Sequence, residues 1–555
     1  MREVVFAPAR AIGALLVLAA LAALLGACGA EPPPETPITV AQAQRPGSLD
    51  PALASDPGEL EAIWLVYTPL LTYRHAEDEK GTELIGGLAG DLPEISADGL
   101  TYTLALRDDL SYSDRARVRA SDFEHAIKRV LWLRSDGAPF FRGIVGAERY
   151  LRGADPDADL EGIEADDRTG RITVRLTEPD YTFANRLALT FAAPVPADTP
   201  FEDTGMAPPP GVGPYEIADP QASGEFVLER NPVFADLDIP DIPTGNIATF
   251  RMTADGDERR HAHGVLDGML DYMQGPPPRD LRPTIHEQAS DRFAEHPAAS
   301  TNYLFLNGET APFDDPLVRE AVNRAVDRRA LARLQPGMQP GCSFLPPGVP
   351  GYDEALDTTA CPYGDPTEPP DRARARALIR AADARGARVT VLGSDEAGAR
   401  AITRAYAATL DAIGLDARTK LVAASDYERA ISARSTRAET GLVERFASFP
   451  QPLDAFADVD GDAIRSTANP NPGNVDDPFI DSELDRLRAV AELDSATADW
   501  SALDRYLVSP PRSYVAPLGH QQVATFLSER VDPRSAGFHP VYRNDYSSWA
   551  LKEGE

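Results

Sequence analysis

The sequence predicts an α/β protein that includes a smaller α+β region, and three observations predict it. Strand and helix patterns alternate from Arg372 to Leu421, the rhythm of a βαβ unit. Between about 74 and 185, strand patterns at 100–106 and 172–176 bracket one amphipathic helix, which reads as α+β. The length, 555 residues, allows roughly three to four domains of about 150 residues each, so a large apolar interior is available.

The elements follow in chain order. Arg2 and Arg10 precede an apolar run from Ala11 to Leu25, which reads as an export signal. As a helix the run would rise about 22 Å, short of the roughly 30 Å hydrocarbon core. Leu25-Gly26-Ala27-Cys28 resembles the bacterial lipobox, which implies lipidation at Cys28 after removal of residues 1–27. The proline-rich residues 28–37 can neither pair in a sheet nor continue a helix, and they read as a stiff tether. From Ile38 to Tyr73 a short strand leads through the turn Pro46–Pro51 to a helix with Leu60, Ile63, Trp64 and Tyr67 on one face. After the Asp98-Gly99 turn, Tyr102, Leu104 and Leu106 alternate with Thr101, Thr103 and Ala105, the period of a half-buried strand. Ser121 is the expected cap of a helix carrying Phe123, Ile127, Val130 and Leu131. Pro208-Pro209-Pro210-Gly211-Val212-Gly213-Pro214-Tyr215 cannot be regular structure and reads as a rigid turn feeding a strand at 225–229. Asp314-Asp315-Pro316 opens a helix with Val318, Ala321, Val322, Ala325 and Val326 on one face. Further on, a helix from Arg372 to Ala384 stops at Gly386, a strand spans 389–392, a helix from Asp395 to Ile413 stops at Gly414, and a strand spans 417–421.

Composition excludes several function classes. Asp and Glu number 87 against 54 Lys and Arg, a formal charge of −33, so phosphate backbones are repelled and nucleic acid is not an expected partner. Beyond Cys28 only Cys342 and Cys361 remain, and in an exported chain that pair is expected as a structural disulfide worth roughly 3 kcal/mol. Gly-x-Ser-x-Gly, His-Glu-x-x-His, Walker A and Gly-x-Gly-x-x-Gly are all missing from the sequence. His261-x-His263 lies in an arginine-rich segment and reads as surface. Asp458-Val459-Asp460-Gly461-Asp462 lacks the sixth-position glycine and twelfth-position glutamate of a calcium loop, and it reads as a solvated acidic loop. No catalysis, cofactor or metal is expected.

In family order, several blocks resemble the solute-binding proteins of ABC importers, family 5, the oligopeptide, dipeptide and nickel class. They are Ser48-Leu49-Asp50-Pro51, Asp98–Leu104, Tyr112-Ser113-Asp114, Gly211–Tyr215, Arg230-Asn231-Pro232 and Pro312–Asp315 with Val318–Ala321 and Ala325–Arg328. The resemblance implies a type II periplasmic-binding-protein fold of the large class, two lobes joined by a hinge and one inserted domain. Lobe I would hold 38–73, 186–301 and 516–555; the inserted α+β domain 74–185; and lobe II, α/β, 302–515. The hinge would fall near Thr301–Tyr303 and Val515–Pro517.

Family peptide binders carry an aromatic-x-Ala-Asp-Tyr-x-x-Pro stretch whose aspartate holds the peptide's amine. Here the matching stretch is Phe446-Ala447-Ser448-Phe449-Pro450-Gln451-Pro452, with Ser448 in the aspartate's place. A desolvated ammonium group without its counter-charge is costly, so an ordinary α-amino peptide is not the expected ligand. Phe446, Ser448 and Phe449, with the neighbouring Arg445 as a candidate for an anionic group, are the expected ligand-binding residues. The function so implied is that of a monomeric lipoprotein, lipid-anchored on the extracytoplasmic face of the cell membrane. It would capture a peptide or related small polar solute for an ABC permease and ATPase complex. The alternative is a surface receptor or scaffold that keeps the binding fold without transport.

Overall fold

The computed structural model describes residues 36–552 apart from 154, 157, 238 and 492. The export signal, Cys28 and nearly all of the tether lie outside the described residues. Three sheets organise the body that begins at Ile38.

The first is a five-stranded sheet in the order Tyr272–Met273, Ile38–Ala41, Thr249–Thr253, Phe226–Arg230, Tyr215–Ala218. Ile38–Ala41 runs parallel to both its neighbours, and the remaining pairs are antiparallel. Ile38, Val40, Leu228, Phe250 and Met252 pack with Ile63 and Val66 of the helix Pro57–Val66. That helix starts at Asp56, whose carboxylate accepts the Gly58 N–H at 2.8 Å while Glu59 reaches back to the cap, the reciprocal arrangement of a capping box.

The second is an antiparallel sheet in the order Glu94–Ile95, Thr101–Ala105, Arg171–Arg175, Ile163–Asp166. Tyr102 and Leu104 point into its core and face the helix Ala120–Leu133. Ser121 does not cap that helix. The cap position belongs to Arg119, whose N–H is taken by Asp122 at 2.8 Å, and the Ser121 hydroxyl inside the first turn binds Asp167 instead.

The third is a seven-stranded mixed sheet running Phe293–Pro297, Val515–Phe526, Ser300–Leu306, Thr440–Phe446, Arg388–Ser394, Asp416–Val422, with Met338–Pro340 added on Val515–Phe526. Arg388–Ser394 and Asp416–Val422 are parallel and joined by the helix Ala397–Ile413, the crossover that the alternation predicts. Glu396 caps this helix, and Gly414 ends it at φ 108°, a conformation that strains residues with a Cβ. The preceding helix, Arg372–Ala381, stops earlier than Gly386 because Asp383 already turns the chain at φ 52°.

Val515–Phe526 serves two partners. Its second half pairs with Phe293–Pro297 and its first with Ser300–Leu306. Within the pairing to Ser300–Leu306 the register slips, with Asn302 opposite Gly519 and Tyr303 opposite Pro517. Gly519 sits at φ 145°, and a Cβ there would lie 1.8 Å from the Gln339 carbonyl oxygen. The bulge therefore depends on a residue without a side chain.

A disulfide joins Cys342 and Cys361. Among the described residues no helix is long and apolar enough to cross a membrane. One surface expectation fails: His261 is buried, its ring bonded to Asp255, because the helix Glu258–Leu266 turns inward the face that carries His261, Ala262 and Val265, the last two packing on Met273 and Phe526.

Candidate functional site

The site is built around the end of the strand Thr440–Phe446. Ser300 pairs with Phe446, Thr301 with Arg445 and Asn302 with Glu444. Side chains alternate along a strand, so Glu444 and Phe446 share one face and Arg445 takes the other.

On that other face Arg445 meets two carboxylates. Its guanidinium lies 3.1 Å from Asp454 and 3.0 Å from Asp458. Asp458 also accepts the Tyr303 hydroxyl at 2.8 Å, and Asp454 accepts the Ser448 N–H at 2.8 Å. Asp454 and Asp458 are 3% and 4% exposed. Burial pushes both carboxyls up, Asp458 to about 6, against the pull of Arg445. The expectation of a solvated loop is thus wrong for Asp458, which a one-turn 3-10 helix, Ala457–Val459, directs inward.

Three neighbouring cavities of about 260, 280 and 200 Å³ all reach Phe446 and Arg543, and the first, at the strand's end, also reaches round to Arg445. The first runs between Leu60, Phe140, Phe191 and Ser448. The second is lined by Gln335, Glu396 and Glu444, and the third by Gln44, Asp56, Glu61 and Gln274. Strands of the seven-stranded sheet, the start of the helix Pro57–Val66 and the C-terminal hairpin all supply walls.

Arg543 comes from that hairpin, in which Gly537–His539 pairs with Arg543–Asp545. Its backbone stands at φ 66°, and its guanidinium lies 4.7 Å from the centre of the Phe446 ring. The hairpin is fixed from below. His539 Nδ1 accepts the N–H groups of Val541 and Tyr542 at 3.1 and 3.0 Å, which assigns the ring's proton to Nε2, and burial pushes His539 down to about 3. Asp545 holds His75 at 2.8 Å, and Trp64 stacks on both His75 and Tyr542.

Glu444 opens to the water of the cleft yet is surrounded by protein on most sides. That desolvation, together with Glu396 and Glu428, pushes its carboxyl up to about 7. Glu61 is fully buried and raised by burial, and it accepts Tyr546 Oη at 2.6 Å and Gln274 Nε2 at 3.0 Å.

Of the residues singled out in the sequence, Phe446, Ser448 and Arg445 line the first cavity. Phe449 is 2% exposed and packs behind the lining residue Phe140, with ring centres 5.9 Å apart. Sequence reasoning missed Arg543, Glu444 and Glu396. The strand period was enough to separate Glu444 and Phe446 from Arg445. Nothing local marks Arg543, which reaches the cleft through a hairpin almost a hundred residues further along the chain.

The model of the bacterial extracellular solute-binding proteins, family 5, middle region, matches residues 83–461. A curated relative, the glutathione-binding protein GsiB of Escherichia coli (strain K12), is 26% identical over 260 residues, 46% of this chain and 46% of that protein. The chain thus spans about half the length of the curated relatives it matches. Among solved structures, clavulanic acid biosynthesis oligopeptide binding protein 2 superposes with a TM-score of 0.83 at 23% identity, covering 93% of this chain and 96% of that one. The murein tripeptide binding protein MppA of Escherichia coli gives 0.73 at 19% identity, covering 94% and 99%. The periplasmic binding protein DppA of Helicobacter pylori, in complex with the peptide STSA, gives 0.72 at 18%, covering 93% and 98%. These likenesses establish the two-lobed, type II binding-protein fold.

Proposed function

We propose, from the premise that this chain belongs to the bacterial extracellular solute-binding proteins, family 5, that it captures a peptide or related small polar solute and hands it to an ABC permease and ATPase complex. The observation that carries this reading is the meeting of three cavities at Phe446 and Arg543, between elements that the sequence separates by up to 500 residues. Such a site is concave and combines aromatic walls with convergent polar and charged groups, the form expected of a site for a small polar molecule. Its role is binding and release rather than catalysis. Closure around the solute stabilises one arrangement of the lobes by differential affinity.

The lobes are read as 38–73 with 186–301 and 516–555 on one side and 302–515 on the other, with 74–185 inserted. The distribution of apolar cores supports this division: one joins Ile38, Phe250 and Trp549, and others join residues between Ala299 and Leu518. Pairing of Asn302 and Tyr303 with Gly519 and Pro517 supports a hinge where those segments cross. The Leu25–Cys28 motif supports a lipid anchor on the extracytoplasmic face.

Native mass spectrometry of chain purified without refolding tests the binding role. A discrete small-molecule mass on the folded protein is the expected result, and a ligand-free chain that takes up no solute from cell extract or peptide mixtures sinks it. For the anchor, Cys28→Ala is expected to abolish lipid labelling and leave the chain unprocessed or free in the medium. Unchanged labelling sinks that part alone.

A further inference from the structure

We propose that the Arg543 guanidinium, laid on the Phe446 ring, anchors a free carboxylate of the bound solute. The inference rests on the solute-binding reading and narrows the class of solute.

The argument is an accounting of charge around the cleft. Two arginines, Arg445 and Arg543, line the three cavities. Arg445 is met by Asp454 and Asp458. Among the described residues the Arg543 side chain has no hydrogen bond and no ion pair, and its stacking contact is with Phe446. The two carboxylates that attract it most strongly from the protein are Glu61 and Asp56, and both are engaged elsewhere. Glu61 accepts Tyr546 and Gln274, while Asp56 accepts the Gly58 N–H at 2.8 Å and Gln44 Nε2 at 2.6 Å. Arg543 is half-buried, and the loss of water around it pulls its pKa down; a guanidinium partly withdrawn from water with no ionic partner is costly. The backbone adds to that cost, since φ 66° disfavours any residue with a Cβ.

The geometry suits a carboxylate. Stacking on an aromatic face occupies the plane of a guanidinium and leaves its N–H edge open. That edge matches the two oxygens of a carboxylate in a bidentate pair. Elsewhere in the same cavity stand Glu396 and Glu444, which repel an anion and so direct it to Arg543. The solute class is therefore a peptide-like molecule with a free carboxylate. Its orientation is set by this arginine rather than by a charge at Ser448.

The experiment offers the full chain, purified without refolding, equal mixtures of tripeptides as free acids and as C-terminal amides, with occupancy read by native mass spectrometry. Wild type is expected to favour the acids about tenfold or more. Arg543→Gln should bring that ratio close to one with an unfolding midpoint no lower than that of wild type. Arg543→Lys should keep part of it, and Phe446→Leu, which retains the cation, should lower it less than Arg543→Gln. Equal retention of amides and acids by wild type, an unaltered ratio in Arg543→Gln, or a co-purified solute lacking a carboxylate would overturn the assignment and leave solute binding standing. Retention of nothing, with no co-purified mass, overturns both.

Discussion

Two arginines on the walls of one cleft live in opposite circumstances. Arg445, rooted in the seven-stranded sheet, sits against Asp454 and Asp458 with Tyr303 completing the network. Arg543, presented by the C-terminal hairpin, has an aromatic ring beneath it and, among the described residues, no ion-pair partner within contact distance. The first belongs to a closed electrostatic unit whose members need one another, because an ion left alone in a protein interior is far more costly than a complete pair. The second has its hydrogen-bonding capacity in reserve. Proximity to a cavity does not separate structural from ligand-directed charge; the partners a side chain already holds do.

Removing Arg445 should break the contrast most visibly. Arg445→Leu leaves two buried carboxylates facing each other, and a loss of about 3 kcal/mol is expected, read as a lowered urea midpoint at neutral pH. A midpoint unchanged from wild type would mean that Asp454 and Asp458 are not held by this cation. Glu444 gives a smaller effect with a sign. Its folded carboxyl is raised to about 7 from 4.5, so between those values the folded state binds the extra proton. This group's contribution to stability therefore grows as pH falls through that window. Glu444→Gln should accordingly melt above wild type at about pH 8, with the difference vanishing toward about pH 4.5; a difference independent of pH would refute the assigned shift. Smallest is the effect of Arg543→Gln on stability, expected to stay within about 0.5 kcal/mol of wild type or to raise it. A large loss in thermal melting would show that Arg543 supports the fold after all.

Much of the architecture was legible in the sequence where period and caps agree. The helix Pro316–Ala325 begins at its Asp315 cap, and the crossover from Arg388–Ser394 to Asp416–Val422 falls where alternation places it. Boundaries shifted where a competing partner was close at hand, as with Ser121, drawn to Asp167, and Asp383, which turned the chain before Gly386. The site was half legible. Phe446, singled out through the aromatic stretch of the family resemblance, lies on the walls of all three cavities. Asp458 was misjudged, since nothing in a run of aspartates announces that one of them will meet an arginine thirteen positions earlier. Arg543 was invisible because its environment is assembled from Phe446, Asp56 and Glu61, which only tertiary structure brings together.

The slipped register in Val515–Phe526 has a mechanical meaning. One unbroken length of backbone is bonded to different neighbours at its two ends, so a displacement at one is carried covalently to the other through the step beside Gly519. Filling that step with a methyl group would collide with the Gln339 carbonyl. The strand Met338–Pro340, whose Pro340 lies opposite Gly519, would be pushed off its partner.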